Sequence, residues 1–105
     1  MVVLRCEPLV LKDRLSRRGY APVKVTDNVE AELIGVIAAD ATVAFGRDRT
    51  LEFDTTSSTP ESAARDIGRR IRDREPAPPQ IDWLPSYDSA RKLKSLLSPS
   101  PLPRG

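Results

Sequence analysis

The sequence predicts an α/β fold built on a small parallel sheet. Val2-Val3-Leu4 is a β-branched apolar run with no alternation, the pattern of a strand buried on both faces. Thr50-Leu51-Glu52-Phe53-Asp54-Thr55 alternates and predicts a second strand. A long stretch of helical pattern separates the two. Such connections favour parallel pairing with a right-handed crossover.

The elements follow in order. Pro8 suits the first turn of a helix, Leu11 and Leu15 recur at helical spacing, and Gly19 supplies a C-cap. Tyr20 to Thr26, with Pro22 inside it, is expected as loop. Asp27-x-x-Glu30 has the form of a capping box and predicts a new helix start. The apolar face of that long helix is expected to be Val29, Leu33, Val36, Ile37 and Ala44, ending near Gly46. Thr59-Pro60-Glu61 combines an N-cap, a proline at the first helical position and an acid in the first turn. Ala63, Ala64, Ile67 and Ile71 should form the buried face of this last helix.

Beyond Glu75 the character changes. Pro76-Ala77-Pro78-Pro79 predicts a stiff linker, and Ile81-Asp82-Trp83-Leu84 a small apolar anchor. Ser89 to Leu97 has the pattern of one short basic helix, and Ser98 to Gly105 the serine and proline content of disorder. The expected organisation is one unit over 1–75, then a proline-rich linker and a largely disordered basic tail over 76–105. Two strands leave open sheet edges, so either another polypeptide segment completes the sheet or the chain is an excerpt of a larger domain.

Composition narrows the chemistry. The 105 residues suit one small domain, and an aromatic content of 5% leaves the core to Val, Leu, Ile and Ala. A net charge of +2 does not by itself argue for nucleic acid. There is no histidine, which removes the usual imidazole base and the common zinc sets. The single cysteine, Cys6, forms no intrachain disulfide, fits a reducing cytoplasm and is expected to be a buried small hydrophobe. No stretch is apolar and long enough to span a membrane, and Arg5 interrupts the N-terminal apolar run too early for a signal peptide.

The cations are clustered. Arg17-Arg18 stands just before Gly19, and the loop that follows suits a lid, at about 17–27, that closes over an anion. Arg65, Arg69, Arg70, Arg72 and Arg74 interleave with Asp66, Asp73 and Glu75, as on a solvated, salt-bridged helix. Arg91, Lys92 and Lys94 lie beside Leu93, Leu96 and Leu97; this piece is either part of a disordered tail or a surface for protein or RNA phosphate.

Val3-Leu4-Arg5, Val10-Leu11, Arg14-Leu15, Arg18-Gly19-Tyr20, Lys24-Val25 and Asp27-Asn28-Val29-Glu30-Ala31-Glu32 resemble the atypical adenylate kinases of archaea and the eukaryotic nucleus. Asp54-Thr55-Thr56 and Thr59-Pro60-Glu61 resemble the last strand and last helix of the same family. The resemblance runs from about Val2 to Ile71. It implies part of a P-loop NTPase, Rossmann-like three-layer fold: two parallel strands with covering helices, the N-terminal half missing. It also implies phosphoryl transfer from ATP to AMP, giving two ADP, with magnesium in the complete enzyme. Family members are further implicated in maturation of the small ribosomal subunit, which makes a ribosomal protein or rRNA an implied partner.

The chain departs from the family in one decisive way. No glycine in it is followed by lysine, so a G-x-x-x-x-G-K-[ST] loop is impossible here. Without that cradle the chain is expected to be inactive alone, to bind neither ATP nor magnesium tightly, and to need a complementary N-terminal segment. The alternative is a non-enzymatic binding or ribosome-assembly module derived from the fold.

The resemblance makes Arg18 the lid arginine on ATP phosphates. A planar, bidentate guanidinium suits that task, while a plain helix-terminal cation is the simpler reading of the residue alone. Arg14, four residues earlier on the same face, is either a second phosphate ligand or the partner of Asp13 or another acid. Arg17 should be solvated, as should Lys24. Tyr20 either stacks on adenine or packs at the lid hinge. Thr59 stands where some relatives carry a basic residue, in a loop near the ATP base. Glu30 and Glu32 are expected as a capping acid and a dipole-side helix acid. No residue is assigned a catalytic or metal-binding role.

Overall fold

The computed structural model describes residues 1–98. Strand β1 (Val2–Arg5) pairs in parallel with β2 (Leu51–Asp54), with Val2 opposite Leu51 and Arg5 opposite Asp54. Helices α1 (Pro8–Arg17), α2 (Pro22–Ile34) and α3 (Val36–Phe45) lie between the strands in sequence. After β2 come α4 (Pro60–Arg72), a 3-10 turn at Leu84–Tyr87 and α5 (Ala90–Leu97). The α/β class and the parallel pairing are as the sequence predicts.

The β1 strand is not buried on both faces. Val3 and Arg5 are covered, whereas Leu4 is 60% exposed. By strand alternation Val3, Arg5 and Glu52 share one face, and Leu4, Leu51 and Phe53 the other. Val3 packs on Ala38 and Ala41 of α3, a small apolar contact that seats this helix on the first face. Helix α4 borders the second face but buries none of its own residues, and Ile71 is left exposed. Its apolar stripe is present as expected; its burial is not.

Helix α1 begins at Glu7, whose carboxylate accepts from the Leu9 and Val10 amides, and ends at Gly19 with a φ of +81°. Helix α2 departs from expectation. It starts at Pro22 behind an Ala21 cap, so Tyr20 to Thr26 is mostly helix. Proline at the first helical position was the operative signal. The Asp27–Glu30 capping box does not form, and both residues sit exposed inside α2. Nor is there one long helix to Gly46. Gly35, at φ +75°, ends α2 in a left-handed turn whose amide donates to the Ala31 and Glu32 carbonyls. Val29 and Leu33 are buried as expected, but Val36, Ile37 and Ala44 are exposed and α3 buries Ala38 and Ala41 instead.

The main core joins α1, α2 and the C-terminal segment. Leu15, Val25, Val29, Leu33, Tyr87 and Leu96 form it, with Trp83 and Leu93 packed against it. Leu96 is 1% exposed. The expectation of a largely disordered tail over 76–105 is therefore corrected for 84–97, where an amphipathic helix contributes side chains the core needs. Ser89 caps α5 by accepting from the Lys92 amide. The expected disorder of 99–105 lies outside the described residues.

Candidate functional site

The strands end, at Arg5 and Asp54, on the side of the sheet where α/β folds place ligands. A cavity of about 390 Å³ opens there, between the end of α1, the loop after β2 and the first turns of α4. Arg14, Arg18, Thr55 and Thr59 line it, with Leu4, Ala63 and Ile67 as an apolar floor. Three of the four residues singled out from the sequence thus meet in one place. Tyr20 does not; it stands exposed beyond the end of α1.

Each side chain has a distinct setting. Arg14 reaches over the loop and donates to the Thr55 carbonyl at 3.4 Å and the Thr56 carbonyl at 2.6 Å. Among the described residues it pairs with no acid; Asp13 takes Arg17 instead, at 3.0 Å on the solvent face. Helix α1 and the β2–α4 loop are further tied by the Glu7 amide, which donates to Thr56 Oγ1 at 2.9 Å. Arg14 is therefore first a pin for the loop, and its remaining surface faces the cavity. Arg18 is the C-cap residue of α1, exposed and without an ion pair among the described residues. Thr59 Oγ1 accepts from the Ser62 amide at 3.1 Å, which commits that hydroxyl to capping α4.

The electrostatics favour an anion. Among the described residues no carboxylate lines this cavity, while two guanidinium groups and the positive end of α4 border it. Cys6 lies behind Arg14, whose Nη1 donates to its sulfur at 3.4 Å. Burial pushes the thiol pKa up against the opposing pull of Arg14, which disfavours the thiolate form. Among the described residues no group of three acids or cysteines is placed to hold a metal ion. Of the α4 cations, Arg69 pairs with Asp66 and with Glu75 beyond the helix, each at 3.0 Å, and Arg70 pairs with Asp66 at 3.2 Å.

Sequence reasoning missed the polar centre under the sheet. Arg5, 2% exposed, donates through Nε to Glu32 Oε1 at 3.1 Å, through Nη1 to Glu52 Oε1, and to the Ile81 carbonyl at 2.9 Å. The same Glu32 oxygen accepts from the Cys6 amide at 2.7 Å and from Trp83 Nε1 at 3.1 Å. Glu32 is thus no helix-dipole acid. It lies in the last turn of α2 and joins strand, helix and C-terminal segment. The available signal was a charged residue inside each predicted strand, Arg5 and Glu52, which is costly unless the two are paired.

Comparison with known proteins adds the family context. No protein-family model matches the chain. It is 32% identical over 87 residues to the "Putative adenylate kinase" of Methanocaldococcus jannaschii, covering 83% of this chain and 46% of that protein. It is 38% identical over 84 residues to the protein of the same name in Natronomonas pharaonis, covering 79% and 50%. Against the Saccharolobus solfataricus protein of that name the identity is 40% over 96 residues, covering 91% and 48%. Over most of its length the chain is similar to one part of these archaeal proteins. It spans about half the length of the curated relatives it matches. Among the described residues no helix is long and apolar enough to cross a membrane.

Proposed function

We propose that this adenylate kinase-like chain is the lid-bearing part of a nucleoside monophosphate kinase that converts ATP and AMP to two ADP. The observation that carries the reading is the meeting of Arg14 and Arg18 in one cavity at the strand ends that no carboxylate of the described residues lines, in a chain similar to archaeal proteins named "Putative adenylate kinase". Arg18, exposed and without an acid partner, closes on the phosphate oxygens and stabilises the charge that develops as the phosphoryl group moves. Arg14 holds the loop and adds positive charge to the wall. The adenine-side role of Thr59 is then played by its loop backbone, since its hydroxyl caps α4. The segment 17–27 acts as the lid through movement of the α1–α2 junction, although most of it is helical.

Magnesium belongs to the complete reaction, but the residues present do not fit a magnesium site, and no step is derived through it. The 105-residue chain alone is inactive on this reading. Its missing glycine–lysine loop also favours a second reading, a non-enzymatic binding or ribosome-assembly module. The exposed Arg91, Lys92 and Lys94 of α5, opposite the buried Leu96, would then meet rRNA phosphate or a small-subunit protein.

The test is a coupled kinase assay on this chain joined to the unmatched half of a relative. Arg18→Ala should slow turnover by on the order of a thousandfold while weakening ATP binding far less. Arg17→Ala, which removes a solvent-exposed charge paired to Asp13, should be nearly neutral. Equal losses would make the effect bulk electrostatics and remove the lid assignment. Turnover by the 105-residue chain alone, above an Arg18→Ala control, would refute its inactivity.

A further inference from the structure

A second cavity lies between the start of α1 and the C-terminal segment. It measures about 860 Å³, within the range of roughly 300–1,000 Å³ typical of small-molecule sites. It shares no lining residue with the Arg14–Arg18 cavity, and the kinase reading gives it no task.

Its wall is aromatic and held in place. Trp83 donates through Nε1 to Glu32 Oε1 at 3.1 Å, and the Arg5 guanidinium carbon stands over its ring, 5.9 Å from the centroid. Tyr87 is buried and fixed by the bond from its hydroxyl to Glu7. Leu9, 49% exposed, extends the apolar surface. Rings already fixed lose little freedom when a flat ligand is laid against them.

The charge at this wall is positive. Glu7 is the one acid of the lining among the described residues, and its oxygens are spent. Oε2 accepts from the Leu9 and Val10 amides at 3.1 and 3.3 Å, and Oε1 accepts from Tyr87. Of the two lining cations, Lys92 pairs with Asp88 at 3.1 Å. Arg91 is exposed and has no ion pair among the described residues. One guanidinium is thus left over, and its planar fork matches a carboxylate.

We propose that this groove binds a small aromatic carboxylate, its ring on the Trp83–Tyr87 wall and its carboxylate on Arg91. The inference needs no nucleotide and stands apart from the kinase reading.

The probe is naphthoate, titrated into the full, isotopically labelled 105-residue chain and followed by NMR. Trp83 is the only tryptophan, so its indole N–H gives a single resonance at the wall. The expected result is saturable one-to-one binding that shifts the Trp83 indole and the Arg91 amide and leaves the Arg18 amide unmoved. Arg91→Ala should weaken binding by about tenfold to a hundredfold, the usual worth of a hydrogen bond to a charged group. The uncharged naphthamide should bind the unaltered chain more weakly by a similar factor. Ser95→Phe, which fills the groove from the α5 side, should abolish binding. Lys94→Ala, on the same helix but outside the lining, should leave it intact. No saturable response at millimolar naphthoate would overturn the proposal. So would binding indifferent to both Arg91→Ala and Ser95→Phe, or weakened as much by Lys94→Ala as by Arg91→Ala. A stronger response of the same resonances to AMP or to a poly(U) strand than to naphthoate would assign the groove to nucleotides and overturn it as well.

Discussion

Replacing Glu32 by alanine tests the polar centre most directly. One carboxylate oxygen there holds three donors: Arg5 Nε at 3.1 Å, the Cys6 amide at 2.7 Å and Trp83 Nε1 at 3.1 Å. Its removal leaves a buried guanidinium with only Glu52 as counter-ion, and two neutral donors without partners. An orphaned neutral donor costs about 1–3 kcal/mol, and breaking a buried ion pair about 3–5 kcal/mol. These terms overlap because the same cavity relaxes once, so the expected loss is about 3–5 kcal/mol. Whole-domain stability is itself only about 5–15 kcal/mol, so such a loss removes much of it. The assay is urea unfolding followed by Trp83 fluorescence, in an osmolyte that strengthens effective burial. Trp83 is the only tryptophan and reports from the centre itself. Glu32→Gln keeps the acceptor and the shape and should lose about half as much. Glu30→Ala, two residues away and exposed, should change stability by less than about 0.5 kcal/mol. Similar small losses for Glu30→Ala and Glu32→Ala would refute the reasoning and restore the view of Glu32 as an ordinary helix acid.

Two further predictions concern other parts of the fold. Tyr87, buried with its hydroxyl donating to Glu7, has its pKa pushed well above the ordinary tyrosine value, first by burial and then by that carboxylate. Its contribution is fully present below about pH 10 and is lost as pH rises from there through the folded-state pKa; Tyr87→Phe should remove a slope that grows toward about 1.4 kcal/mol per pH unit as pH passes 10, measured by urea unfolding between pH 9.5 and 11. Gly35→Ala should cost about 1–2 kcal/mol by the same unfolding measurement, because φ +75° is unfavourable for any residue with a Cβ, and that Cβ would only touch the Arg5 guanidinium at 3.4 Å. A neutral Gly35→Ala would mean that α2 and α3 run on as one helix in solution.

Local rules made much of this protein legible. Thr59-Pro60 begins α4, Gly19 ends α1, and the apolar Val2–Leu4 run and the alternating Leu51–Asp54 segment form strands, because caps, prolines and side-chain pattern act over a few residues. The same rules misplaced the start of α2, since Asp27–Glu30 and Pro22 both carried start signals and only one can begin a helix. The acids spaced among the α4 arginines were legible as surface pairs for the same local reason. Arg14 and Arg18 were legible as cations on one helix face, but not that one of them is spent on the Thr55 and Thr56 carbonyls.

By itself the sequence determined the α/β class, the parallel pair, the positions of most helix ends and the lack of a glycine–lysine loop. Tertiary structure alone decided the break at Gly35, the role of Glu32 and the packing of 84–97. Each of these depends on groups far apart in the chain. Arg5 donates to the Glu32 carbonyl at 3.2 Å, at the turn where α2 ends, and the ion pairs that hold it exist only once strand, helix and C-terminal segment have met. Leu96 is buried for the same reason. Its amphipathic helix is too short to be stable alone, and it becomes ordered only because Val29, Leu33 and Tyr87 offer an apolar face to cover.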